Sequence, residues 1–195
     1  MLGKRSGRGS RWFRTWGPCA LVACAACASF PQEDVAPAFD VDPGELGGMS
    51  NVYAFDGVWV ATGSDPADLE VALRRGFVLL VDVGRSPTDL TTEAGIAFRQ
   101  AAARQSVRWV HAPIDAGEPS PAALDVVFDE LRAADGPALV YSRHGDEAAL
   151  VFSLWRASSS PVEYDDLLRD ARRAGLRPGE QELALADALA FVARP

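Results

Sequence analysis

From residue 51 onward, short apolar runs alternate with longer stretches whose apolar residues recur every three or four positions. The short runs have the length and composition of strands, and the periodic stretches those of helices. The predicted strands are 52–55, 58–61, 77–83, 107–111 and 138–141. The predicted helices are 65–75, 92–105, 121–134, 147–155, 161–174 and 179–192. This alternation predicts a three-layer α/β/α sandwich around a mostly parallel sheet of about four to five strands.

The interruptions between the runs agree with this architecture. Asp56-Gly57 separates the first two strands and predicts a hairpin turn. The run 77–83 is apolar except for Asp82, as expected of a central strand buried on both faces. Ligand sites in such sheets lie beyond the carboxyl ends of the strands. That edge gathers three segments, 82–85, 111–115 and 142–147.

The third of these segments is a tight polar turn between the last predicted strand and a helix. It reads Ser142-Arg143-His144-Gly145-Asp146, and Glu147 opens the helix. A strand, a compact glycine-containing turn and a helix N-terminus together direct backbone N–H groups at one spot. This arrangement is typical of an anion site.

This stretch resembles the signature loop of the cysteine-dependent protein tyrosine and dual-specificity phosphatases, in particular the bacterial phosphatase-like domains of beta-lactamase-hydrolase-like proteins. That loop reads His-Cys-x-x-Gly-x-Arg, or carries one more residue before the arginine. Aligned on Gly145, this chain has Tyr141 for the histidine, Ser142 for the nucleophilic cysteine, and Glu147 or Ala148 for the phosphate-binding arginine. We call residues 141–148 the signature loop. The resemblance extends, element by element, over residues 51–192, and it implies the phosphatase fold without cysteine-dependent chemistry.

The residues in the signature loop explain that expectation. A serine hydroxyl is not ionised by a loop and a helix dipole as a thiol is, and it requires a general base. Glu147 reverses the charge of the expected arginine, and Asp146 adds a second carboxylate. Acidic side chains are favourable in a first helical turn. We therefore expect Asp146 and Glu147 to occupy the loop amides themselves and to close the loop to anions.

Rebuilt hydrolytic chemistry is the alternative. Ser142, His144 and Asp146 have the residue types of a hydrolase triad, although triads draw on separate segments of a chain. Asp115 stands where the resemblance implies a general acid; otherwise it turns its loop beside Gly117. A metal would use His111 and His144 with these carboxylates, although no spacing motif supports it. Two further residues near the site, Arg85 and Arg143, are candidates for weak anion contacts. No metal and no cofactor are predicted.

The first residues of the chain form a predicted targeting segment, 1–24. Its basic residues precede the apolar stretch 16–23, which is too short to span a bilayer. Leu21-Val22-Ala23-Cys24 is similar to a bacterial lipobox, which predicts lipidation of Cys24. Cleavage after Ala28, or an unprocessed tail, are the alternatives. Residues 25–50 read as a flexible tether, and 51–195 as a tyrosine-phosphatase-like domain.

Charge and cysteine content narrow the function further. Without the five basic residues of the targeting segment, 14 Lys+Arg face 27 Asp+Glu, a net charge of −13. Such a domain repels nucleic acid and anionic membranes, so membrane contact is expected only through the lipid anchor. All three cysteines lie at positions 19, 24 and 27, which leaves the domain without a thiol.

The sequence therefore predicts an exported pseudophosphatase, periplasmic or anchored to the outer membrane as a lipoprotein. We expect it to bind either an envelope protein or a small neutral or cationic ligand. A phosphoric ester hydrolase or another hydrolase, using Ser142 and Asp115 or a metal, is the competing prediction.

Overall fold

The structure, a computed structural model, describes residues 46–192. Its five strands are β1 (Ser50–Phe55), β2 (Val58–Thr62), β3 (Leu79–Asp82), β4 (Arg108–His111) and β5 (Ala138–Ser142). The helices are α1 (Pro66–Arg74), α2 (Glu93–Arg104), α3 (Pro121–Arg132), α4 (Asp146–Ser159), α5 (Tyr164–Arg173) and α6 (Glu180–Val192). The sheet order is β1-β2-β5-β3-β4, with β1 antiparallel to β2 and the remaining pairs parallel. The predicted α/β class and mostly parallel sheet are confirmed.

Alternation along the strands divides the core into two layers. Trp59, Leu80 and Leu139 belong to the layer that contains the buried residues of α1 and α2. Their neighbours Val60 and Val140 belong to the opposite layer, with the buried residues of α3, α4, α5 and α6. Successive side chains of a strand point to opposite faces, so a sheet covered by helices on both sides needs apolar residues at nearly every position. This is why β3 and β5 are almost continuously apolar.

Several predicted boundaries differ from the structure by one to four residues. The predicted strand 77–83 is shortened to β3, because Phe77 lies before the ladder and packs edge-on against Trp59, with ring centroids 5.9 Å apart. Helix α4 continues beyond the predicted residue 155 to Ser159. Helix α5 begins at Tyr164 rather than at residue 161, with Glu163 as its N-cap.

The folded part of the chain also begins earlier than predicted. Leu46 is fully buried, and Gly48 N–H donates to Asp68 Oδ1 at 2.6 Å. The predicted tether 25–50 is therefore wrong at its end, because apolar Leu46 and Met49 anchor a segment whose glycines suggested flexibility. The predicted targeting segment, Cys24 and the remainder of the tether lie outside the described residues. Between residues 46 and 192, no helix is both long enough and apolar enough to cross a membrane.

Candidate functional site

The carboxyl ends of three adjacent strands create the candidate site. In the ladder, Ser142 of β5 pairs with Thr62 of β2, and Tyr141 pairs with Asp82 of β3. Because β5 is the middle strand of the five, the signature loop emerges at the centre of the sheet edge. The sequence predicted the signature loop at this edge of the sheet.

Gly145 sets the shape of the signature loop. It is the N-cap of α4, and its φ is +85°, in the left-handed region that favours glycine. A Cβ at this position would overlap the Thr62 hydroxyl and approach Thr62 Cβ to 3.0 Å. Both the backbone angle and the proximity of β2 therefore require a glycine.

Ser142 points towards the backbone of its own loop. It is fully buried, and its Oγ accepts hydrogen bonds from Gly145 N–H at 3.1 Å and from Ala148 N–H at 3.4 Å. Two amide groups of the signature loop are thus occupied by the serine hydroxyl. We expected the carboxylates of Asp146 and Glu147 to take such amides, and for these two amides that expectation was wrong.

The residues between Ser142 and Gly145 do not assist the hydroxyl. Arg143 and His144 are both exposed, and neither has a hydrogen bond or an ion pair with any residue between 46 and 192. His144 therefore does not reach Ser142, and the triad considered from the sequence does not form. Successive side chains of a tight turn commonly point in different directions. A spacing of two residues therefore does not bring the His144 ring within hydrogen-bond distance of the Ser142 hydroxyl.

Asp146 is held from outside the signature loop. Its buried Oδ2 accepts from Arg177 Nη2 at 2.5 Å and from Gln181 Nε2 at 2.5 Å. Burial acts to raise the pKa of the Asp146 carboxyl, but the Arg177 guanidinium and further hydrogen bonds hold that pKa below its ordinary value. Arg177 and Gln181 were not predicted, because no local pattern connects residue 146 with partners 31 and 35 positions later.

Glu147 has the opposite electrostatic character. Burial raises the pKa of its carboxyl, and its hydrogen bond and repulsion with the Asp146 carboxylate raise it further, against the lowering effects of its own backbone N–H and the Ser142 hydroxyl. Glu147 Oε2 and Asp146 Oδ1 are buried, and no N–H or O–H donor from residues 46–192 reaches either atom. A carboxyl–carboxyl hydrogen bond needs a proton, and the opposite directions of the two pKa shifts favour Glu147 as the acid that carries it.

Tyr141 replaces the histidine implied by the resemblance, and it belongs to a buried network. Its hydroxyl accepts from Trp109 Nε1 at 2.7 Å and lies 3.3 Å from Thr88 Oγ1, which donates to Asp82 Oδ2 at 2.8 Å. Burial and the Asp82 charge raise the pKa of Tyr141. Asp82 also accepts from the backbone N–H of Thr88 at 2.7 Å and of Gly84 at 3.1 Å. Tyr141 and Asp82 are therefore structural supports of the sheet edge.

Asp115 lies on the neighbouring loop with its charge already paired. Its Oδ1 accepts from Gly117 N–H at 2.9 Å and from Arg85 Nη2 at 2.5 Å. The Gly117 N–H is the largest cause that lowers the pKa of this carboxyl, and Arg85 lowers it as well. A carboxyl held in its ionised form is poorly suited to act as a general acid near neutral pH.

The candidate metal ligands do not converge. His111 Nε2 lies 3.0 Å from the Gly84 carbonyl oxygen, while His144 is exposed on the signature loop. Within residues 46–192, no three His, Cys, Asp or Glu side chains are grouped in a way that would hold a metal ion.

The family described as the phosphatase-like domain of beta-lactamase hydrolase-like proteins matches residues 54–159, from β1 to the end of α4. The chain belongs to this family. The matched region of the phosphatase-like domain contains the whole signature loop, whereas Arg177 and Gln181 lie beyond it.

Solved phosphatase structures share the fold. TpbA of P. aeruginosa superposes with a TM-score of 0.56 at 17% identity, over 78% of this chain and 88% of TpbA. A putative phosphatase of Neisseria meningitidis gives 0.57 at 18%, over 72% and 99% of the two chains. Human DUSP28 gives 0.56 at 17%, over 80% and 98%. No curated protein sequence matches the chain. At these identities the structures show the phosphatase fold and leave activity to the residues of the signature loop.

Proposed function

We propose that this phosphatase-like domain is a pseudophosphatase that acts by binding rather than by hydrolysing phosphate esters. The observation that carries the proposal is the state of the signature loop. The residue at the nucleophile position is a fully buried serine whose Oγ accepts two of the loop's own N–H groups. A phosphate at this loop would face the carboxyl of Glu147 at the position of the phosphate-binding arginine.

The chemistry needed for phosphoryl transfer is missing at each step. The Ser142 hydroxyl has no histidine base, because His144 is exposed and makes no contact with it; the group it does contact is the Glu147 carboxyl, whose pKa is raised by burial. The positive charge that would stabilise a phosphate is replaced by Glu147. Arg177 approaches from α5–α6, but its guanidinium is already paired with Asp146 at 2.5 Å. Electrostatic stabilisation of the transferred group is the main catalytic device in such reactions, and here its sign is reversed.

The proposed binding role also implies a cellular location. We propose export through residues 1–24 and lipid attachment at Cys24, which would place the domain in the cell envelope. With a net charge of −13 after removal of the segment, the domain suits a protein partner of that compartment or a neutral or cationic small ligand rather than an anion. Mass spectrometry of the mature N-terminus, with Cys24→Ser as control, tests the attachment. An unmodified Met1 in an exporting host would contradict it.

The decisive experiment is a phosphatase assay on the full chain. Two substrates suffice, p-nitrophenyl phosphate and phosphotyrosine; the second is chosen because a TpbA variant has been crystallised in complex with it. We expect no turnover with or without Mn²⁺ or Zn²⁺, and no effect of Ser142→Ala. The double change Ser142→Cys plus Glu147→Arg tests whether the frame still supports the chemistry, and vanadate-sensitive turnover is the expected gain.

Turnover by the wild-type protein would overturn the proposal in one of two ways. Wild-type turnover that is abolished by Ser142→Ala would establish a hydrolase with rebuilt chemistry and overturn the proposal. Asp115→Asn would then test whether that residue supplies the proton. Wild-type turnover that survives Ser142→Ala but requires an added metal would overturn it in favour of a metal-dependent hydrolase.

A further inference from the structure

A cavity of about 530 Å³ lies away from the signature loop, on the layer of the sheet covered by α3, α4 and α6. Its walls come from α3, from Ser158 near the end of α4, from the middle of α6 and from residues 117–119. None of residues 142–147 lines it. The volume falls within the range of small-molecule sites, about 300–1,000 Å³.

The floor of this cavity is apolar. Leu124, Phe128, Ala184 and Ala188 line it, and each is buried in the fold. The Phe128 ring is fixed edge-on against Trp155, with centroids 5.6 Å apart. Since these residues project from packed helices, the floor is a rigid surface on which the apolar body of a ligand would lose water.

The rim of the cavity carries unbalanced negative charge. Glu118, Asp125 and Asp187 line it with exposed side chains, and none of the three carboxylates has a hydrogen bond or an ion pair with any residue between 46 and 192. The single cation of the lining, Arg132, is already partnered. Its Nη1 contacts Asp129 Oδ1 at 2.8 Å, and its guanidinium lies 5.9 Å from the Phe128 ring centroid.

The wall formed by residues 117–119 is adjacent to the ion pair of Asp115 and Arg85. Asp115 accepts the Gly117 N–H at 2.9 Å and is itself paired with Arg85, so the start of segment 117–119 is tied back to the loop after β3. The acidic rim at Glu118 is thereby kept beside α3 and α6.

We propose that this cavity binds an organic cation with an apolar body, such as an amine carried by an aromatic ring system. The ammonium group lies among the three unpaired carboxylates of the rim, and the ring system lies on the floor formed by Leu124, Phe128 and Ala188. This assignment does not depend on the inactivity of the signature loop, so amine binding and phosphatase turnover are separate measurements that can fail independently.

Three ligands with one ring system and different charges test the proposal: tryptamine, tryptophol and indole-3-acetate. Titration calorimetry on the full chain is expected to give an affinity for tryptamine at least about tenfold above that for tryptophol, a difference of roughly 1.4 kcal/mol. Indole-3-acetate is expected to bind least. The tryptamine preference should decline between about 0.01 and 0.15 M salt, because exposed charges are screened.

Matched variants locate the binding. Asp125→Asn plus Asp187→Asn removes two of the three rim carboxylates and should lower tryptamine affinity severalfold towards that of tryptophol, while tryptophol binding is unchanged. Asp56→Asn plus Asp135→Asn removes the same charge from exposed positions outside the cavity lining, and it should leave both affinities unaltered. If both double variants lower tryptamine binding equally, the effect comes from net charge and the proposal is wrong. Equal affinity for all three ligands, or no binding to the full chain, also overturns it.

Discussion

Gly145 offers a direct test of how the signature loop is built. The change Gly145→Ala places a methyl group at a residue with φ +85°, where it overlaps the Thr62 hydroxyl. Gly179→Ala is the matched control, because its φ is +99° but no atom lies within 4 Å of the added Cβ. The two variants therefore share backbone strain and differ in steric overlap.

The expected magnitudes follow from these two contributions. The left-handed backbone costs each alanine about 1–2 kcal/mol. Overlap with Thr62 adds about 1–3 kcal/mol for Gly145→Ala alone, the usual range for forcing a methylene into a packed site. A domain of this size loses about 2–4 °C of Tm per kcal/mol. Gly145→Ala should thus melt several degrees below Gly179→Ala.

A double-mutant cycle measures the overlap itself. Its four proteins are the wild type, Gly145→Ala, Thr62→Ala and the double variant, each unfolded reversibly in a calorimeter. Thr62→Ala removes the hydroxyl, which also accepts from Asn51 Nδ2 at 3.1 Å, so it has a cost of its own that the cycle subtracts. We expect Gly145→Ala to lower the free energy of unfolding by less in the Thr62→Ala background than in the wild type. Equal losses for Gly145→Ala and Gly179→Ala, together with zero coupling, would refute the reasoning.

Further predictions concern the buried polar groups. The pKa of Asp146 is lowered by folding, so its ionised form stabilises the fold above about pH 4, and that contribution is lost as the pH falls through the lowered pKa. Asp146→Asn should lower Tm at pH 7 and should lower it by progressively less below about pH 4. The pKa of Glu147 is raised by folding, so its stabilising contribution is present at acid pH and lost as the pH rises. Glu147→Gln should therefore raise Tm at pH 7 and not at pH 4. A pH scan in which both variants change Tm in the same direction would contradict the assignment. Tyr141→Phe leaves the Trp109 N–H without its acceptor, at a cost of about 1–3 kcal/mol by chemical denaturation. Tyr53→Phe, which removes a hydroxyl without a hydrogen bond to the described residues, should cost much less.

The fold was predictable because its determinants are local. Apolar runs of strand length, glycine and proline between them, and helical periodicity each act over a few residues. Asp65 shows how local the signal is: its side chain accepts the Ala67 N–H at 2.9 Å and begins α1 where the sequence predicted a helix. The position of the signature loop after the last strand follows from the same patterns.

The internal organisation of the signature loop was not predictable, because it is decided by distant segments and by backbone geometry. Asp146 and Glu147 are adjacent acids in one helical turn, yet their pKa values move in opposite directions. The difference arises because Arg177 hydrogen-bonds to Asp146 and not to Glu147, and a contact over 31 residues leaves no local trace. Similarly, the orientation of Ser142 towards the loop backbone depends on the left-handed turn at Gly145.

The strand order also determines when the site comes into existence during synthesis. Because β5 lies between β2 and β3, the early strands have no direct ladder with β3 and β4 until residues 138–142 have been made. The chain emerges N-terminus first, from a ribosome and equally from an export channel, so the hairpin of β1 and β2 is present before its partner strand β5. Pairings so distant along a chain are slow to form, because loop closure precedes the gain from contacts. In the folded protein β5 completes the sheet, and Gly145, three residues beyond the end of β5, lies against Thr62 of β2. Nascent chains that end before residue 138 therefore lack the central strand and the loop together.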